Sequence, residues 1–91
     1  MKNVTIDATK FNKKEDLHLY LAEQLGLSGQ YGKTIDALFD SLKGFEDQVA
    51  FKIKSRCDML GQFGTYGEYV IRTLNNAAAF NEKISVVIEN D

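Results

Sequence analysis

Proline and tryptophan are absent from this 91-residue chain, and cysteine and histidine occur once each, as Cys57 and His18. Without an X–Pro bond, slow prolyl isomerisation has no part in folding. A lone cysteine excludes an intrachain disulfide, and one His with one Cys cannot make a Cys/His zinc site. The start, Met1-Lys2-Asn3-Val4-Thr5-Ile6-Asp7, returns to charge before an apolar run develops. No signal peptide is therefore expected, and the reading is a cytoplasmic protein in a reducing compartment. No stretch approaches the roughly 20 apolar residues of a spanning helix, so no membrane partner is expected. Neither charge sign dominates. Eleven Lys and Arg stand against thirteen Asp and Glu, a net charge of -2, which gives no support to direct nucleic-acid binding. Gly61, Gly64 and Gly67 match neither phosphate-loop pattern, because Phe63 and Tyr66 interrupt them, and they read as turn formers.

What is present is enough apolar residue, 44% of the chain, to build a core. The length suits a single domain over residues 1–91. Lys2 to Asp7 alternates, with Val4 and Ile6 on one side, and reads as a half-buried strand. Ala8 to Phe11 is a connection. Asn12 stands three residues before Glu15, the spacing of a capping box, and opens a helix from Lys13 to about Leu25. Leu17, Leu21 and Leu25 form its buried face, with Tyr20 at the edge and Leu19 opposite; Gly26 ends it. After a loop through Gly29 and Gly32, Thr34 to Lys43 is a short helix docking through Ile35, Leu38 and Leu42, closed by Gly44. Gln48 to Lys54 alternates as a second strand around Val49, Phe51 and Ile53. Ser55 to Gln62 is ambiguous between a short helix and a turn. Thr65 to Phe80 is a helix with an apolar stripe of Val70, Leu74, Ala77 and Ala78, although Gly67 weakens its first turn. Lys83 to Glu89 is the last strand, with Ile84, Val86 and Ile88 on one face and Val87 as the exception.

Long helical connections permit a parallel sheet. Right-handed crossovers in the order 1-2-3 put every helix on one face. The expected fold class is α/β: a three-stranded parallel sheet with helical crossovers packed on one face, in two layers.

No catalytic residue, cofactor or metal ligand set is evident. His18 reads as a structural histidine beside Leu17 and Leu21. Cys57, between the opposed charges of Arg56 and Asp58, reads as an unpaired thiol used in packing. The informative segment is Tyr31-Gly32-Lys33-Thr34-Ile35-Asp36-Ala37-Leu38-Phe39-Asp40-Ser41-Leu42. On a helix, Asp36 and Asp40 share a face turned from the apolar arc. An ordinary solvated face, with Lys43 pairing to Asp40, accounts for them. A cationic partner that relieves their repulsion accounts for them as well. Two carboxylates alone are too few oxygens for a hard cation. Acid–base catalysis would need two distinct environments in a cleft.

At this helix the sequence resembles the barstar family, intracellular inhibitors of the ribonuclease barnase. Tyr31-Gly32, Ile35-Asp36-Ala37-Leu38-Phe39-Asp40 and Leu42 carry the likeness. Leu17-His18, Leu21, Gly44-Phe45 and the run Ile84 to Ile88 extend it to nearly the whole chain. The resemblance implies a barstar-like two-layer fold and a non-enzymatic immunity protein that plugs a ribonuclease active site. The implied partner is a secreted-type ribonuclease with a basic site, held in a 1:1 heterocomplex with a monomeric inhibitor. Asp40 matches the family's principal acidic contact and Asp36 another, one turn earlier. Gln30 and Tyr31 would touch the partner from the preceding loop, Phe39, Gly44 and Phe45 would border the acidic surface, and Asn76 falls at a further contact position. Gln30 stands where the family has tyrosine, Phe39 and Phe45 where it has tryptophan, Asn76 and Lys33 where it has glutamate. Those exchanges favour a ribonuclease other than barnase, with a differently charged rim. The alternative is a barstar-like binding module with a non-nuclease or divergent toxin partner.

Overall fold

Three short strands and four helices alternate along the chain in the computed structural model, which describes residues 2–27 and 34–89. The strands are β1 (Lys2–Ile6), β2 (Val49–Ile53) and β3 (Ile84–Ile88). They pair in parallel in the order β1-β2-β3, with Val4 beside Phe51 and Phe51 beside Val86. Val4, Ile6, Val49, Phe51, Ile53 and Ile84 are buried on one face. Asn3, Thr5, Lys52 and Ser85 are exposed on the other, so helices cover only one side. The period-2 pattern dictates this, since each side chain alternates across the pleat.

The first crossover holds α1 (Lys14–Leu25) and α2 (Ile35–Lys43). Leu17, Leu21 and Leu25 of α1 are buried, and half-exposed Leu19 points away. Asn12 does not cap this helix. The cap is Lys13, which makes no side-chain cap bond, and the Asp16 carboxylate accepts the Asn12 N–H at 3.3 Å. The acid therefore reaches back one residue further than the capping-box spacing implies. Gly26 takes φ 68 and terminates α1, with the Leu27 N–H on the Ala22 carbonyl and the Gly26 N–H on that of Glu23. That is a left-handed cap, which glycine adopts without strain.

The second crossover holds α3 (Arg56–Phe63) and α4 (Thr65–Phe80). The ambiguous stretch after β2 is thus helical, because the Ser55 hydroxyl caps it by accepting the Asp58 N–H at 3.1 Å. Only Met59 is buried in α3, which explains its faint periodicity. Cys57 is exposed on α3, so its thiol does not serve packing; Met59, two residues on, supplies the buried anchor. Ala8–Lys10 is a single 3-10 turn, capped by Asp7. No described helix is long and apolar enough to cross a membrane.

Candidate functional site

Thr34 opens α2 by accepting the Ala37 N–H on its hydroxyl at 3.1 Å. Leu38 and Leu42 are buried, and Ile35 is half-buried beside them. That fixes the rotation of the helix and leaves Asp36 and Asp40 exposed, one turn apart on the outer face. Asp36 lies in the first turn, where the helix dipole favours a carboxylate. Asp40 keeps 73% of its side-chain surface in water and meets Lys43 Nζ at 3.5 Å. A pair this exposed contributes about 0–1 kcal/mol, so Asp40 is held loosely and can exchange partners.

The platform beneath them is firmer. Asn81, just past α4, donates from Nδ2 to the Leu42 carbonyl at 3.1 Å and the Phe45 carbonyl at 2.8 Å. Its Oδ1 accepts the Lys83 N–H at 3.1 Å. The C-terminal end of α2 is thereby tied to the turn before β3. Phe39 is half-buried, and its ring meets Phe80 of α4 edge-on at 6.0 Å and 88°. Lys43 Nζ lies 5.2 Å from the Phe39 ring centre. Gly44 is exposed at the end of α2, and Phe45 is half-buried against the core. Asn76 is exposed on α4, one turn before Phe80. Gln30 and Tyr31 lie outside the described residues.

Two aromatics not expected at this surface join it. Phe80 is 74% exposed, and Tyr69 is 49% exposed. Tyr69, Asn76 and Phe80 are spaced seven and four apart, which sets them on one flank of α4 beside the buried stripe. That spacing was present in the sequence; which helix the flank would face was not. At the start of α2, Lys14, Thr34, Ile35, Asp36, Tyr66 and Tyr69 enclose a shallow depression of about 260 Å³. Another depression, about 330 Å³ between Phe11, Tyr20 and Lys54, shares no residue with the acidic face. No cluster of three metal-ligating side chains occurs among the described residues.

His18 lies under this edge, buried in α1 with its Nε2 hydrogen-bonded to the Tyr66 hydroxyl. Burial pushes its pKa below the usual value, and Lys14 adds to this while Glu15 opposes it. The neutral ring belongs to the folded state, whereas the unfolded chain takes up a proton near pH 6.5. Below that pH the unfolded state binds more protons, so stability falls as pH drops from 7.5 to 5. Urea unfolding across that window should show the decline, and His18→Gln should flatten it. Asp7 does not produce this decline. Asp7, held low by the Thr9 hydroxyl and N–H against burial, loses its contribution only as pH falls through its depressed folded value.

A family model described as "Barstar (barnase inhibitor)" matches residues 1–85. The chain belongs to the barstar family. It is also 28% identical over 91 residues to a Bacillus subtilis (strain 168) protein named "Putative ribonuclease inhibitor YrdF", an alignment spanning 98% of this chain and 100% of that one. The parallel sheet and four helices agree with the barstar-like fold. Within that framework, α2 of this barstar-family chain presents two exposed carboxylates, with Phe39 packed edge-on against Phe80 of α4.

Proposed function

We propose that this protein inhibits a ribonuclease by laying α2 across the enzyme's active site, one inhibitor chain to one enzyme. A site that cleaves RNA must attract phosphate, so it concentrates positive charge. Asp40 and Asp36, held one turn apart, stand in for consecutive negative groups of the substrate. The observation that carries this reading is the exposed acidic pair on a helix anchored by Thr34 and Asn81, in a chain of the barstar family. Long-range attraction speeds the encounter, while close contact fixes register. Phe39 and Phe80 favour a partner whose rim is apolar or carries guanidinium groups that lie on rings. Gln30 and Tyr31 would add contacts from the preceding segment, and Gly44, Phe45 and Asn76 would border the buried centre. The biological role is to protect the producing cell from its own nuclease before export, which places the inhibitor in the cytoplasm.

The test is to recover the native partner by affinity capture and assay RNA cleavage against increasing inhibitor. The reading expects a basic ribonuclease that loses activity with an equivalence point at one inhibitor per enzyme. Recovery of a partner without nuclease activity would replace it with the divergent binding module. Lys43 gives a second measurement. It competes for Asp40 and opposes a basic partner, so Lys43→Ala should raise the association rate a few-fold at low salt, with the gain disappearing in high salt.

A further inference from the structure

The sheet has two edges, and they are treated differently. In β1, the Lys2 N–H bonds to Gln48 and the Ile6 carbonyl accepts from Lys54, so the even residues face β2 and Asn3 and Thr5 face outward. That outer edge is partly covered by α1: the Tyr20 hydroxyl donates to the Thr5 carbonyl at 2.7 Å. The Lys2 ammonium also reaches the Gln24 carbonyl alongside. In β3, the Lys83 carbonyl accepts from Val49 and the Glu89 N–H donates to Ile53, so the odd residues face β2. The outward set is Ile84, Val86 and Ile88. The Ile84 N–H is taken by the Asn81 carbonyl at 3.0 Å. Among the described residues no partner faces the N–H and carbonyl of Val86 or the Ile88 N–H.

The sequence of β3, Ile-Ser-Val-Val-Ile, carries no charge, proline or bulge to discourage pairing. Val87 is 59% exposed. We infer that β3 is a self-association edge, pairing antiparallel with β3 of a second copy about a two-fold axis through Val86. The outward set together with the charges at the two ends of the strand selects the register. With the axis at residue 86, Val86 faces its own copy and Ile84 faces Ile88 of the partner chain. The two Val86 residues exchange two hydrogen bonds, and each Ile88 N–H donates to an Ile84 carbonyl across the axis. This is the closely bonded type of antiparallel pair. The same register sets Lys83 opposite Glu89 of the other copy, one pair at each end. Glu89 already meets Lys52 at 2.8 Å, so Lys83 of the other copy exchanges its own bond to the Glu46 carbonyl for an existing pair on the open face. A one-step slip would bring backbone groups already spent on β2 to the new edge.

A five-residue strand pair buries less than the roughly 1,200 Å² of a standard stable interface. The dimer is therefore weak, with a dissociation constant of the order of 100 µM to 1 mM. This inference does not rest on ribonuclease inhibition and fails separately from it. Sedimentation velocity on the purified chain from 10 µM to 1 mM should show a reversible monomer–dimer shift. Amide exchange in the same samples should slow with concentration at Val86 and Ile88, and stay unchanged at Asn3 and Thr5. Val86→Pro removes an outward N–H without breaking the ladder to β2, the position where a strand tolerates proline. It should be monomeric throughout. Lys83→Glu should raise the dissociation constant at least several-fold. A chain that stays monomeric at 1 mM overturns the inference. So does a dimer that survives in folded Val86→Pro, or protection that rises at Asn3 and Thr5 instead. If Val86→Pro does not fold, the amide data on the native chain decide alone.

Discussion

Asp40→Ala should leave the ribonuclease active at inhibitor concentrations that silence it with the native protein. Removing one member of a desolvated charge pair strands the enzyme's cations, and such truncations cost about 2–5 kcal/mol, or roughly 30- to 5,000-fold in Kd. Most of the loss should appear in the dissociation rate, because one carboxylate changes long-range attraction little. Stability should hardly move, since Asp40 is exposed and its pairing to Lys43 is worth little. Asp36→Ala should weaken inhibition less. Its effect will not add to that of Asp40, because neighbours one turn apart share partners. The measurement is a titration of RNA cleavage with thermal melts of each variant. Unchanged inhibition by a folded Asp40→Ala protein rejects α2 as the plug.

The largest effect on stability should come from a position with no side chain. A Cβ built on Gly67 would sit 2.4 Å from the Met59 carbonyl oxygen and 3.3 Å from the Phe63 Cβ. The obstacle is backbone, so α3 and α4 must move apart, and Met59 leaves its buried place. Overpacking of this kind costs about 1–3 kcal/mol, occasionally more, and Gly67→Ala belongs at the upper end. In a domain of this size that lowers Tm by roughly 10–20 °C. Gly61 provides the control. It lies inside α3 with nothing within 4 Å of its Cβ position, so Gly61→Ala should raise stability by about 0.5–1 kcal/mol. If Gly67→Ala melts with the native protein, the close helix crossing is wrong.

The same glycine marks where the sequence stopped being readable. On pattern alone, Gly67 only weakens a helix; its use lies in a contact with a residue eight positions earlier, across a turn. The strands were legible because Val4, Ile6, Val49, Phe51 and Ile53 alternate with polar neighbours, and a half-covered sheet needs that alternation. The α4 helix was legible because its apolar stripe, Val70 to Ala78, runs through more than two turns. The α3 helix was not, since one buried residue cannot set a period. Asp36 and Asp40 could be placed together because four residues are one turn wherever the helix sits. Tyr69, Phe80 and Asn81 could not be assigned to the same surface, because that depends on which flank of α4 meets α2. The cap of α1 was misplaced by one residue for a local reason: Asp16, not Asn12, supplies the oxygen.

Asn81 grips α2 through the carbonyls of residues 42 and 45, atoms every amino acid possesses. The clasp is blind to the side chains it carries. Side chains on the exterior of this helix, Phe39 among them, can therefore change while its seating stays the same. An inhibitor of the kind proposed here has, in that one amide, a mount separate from its key.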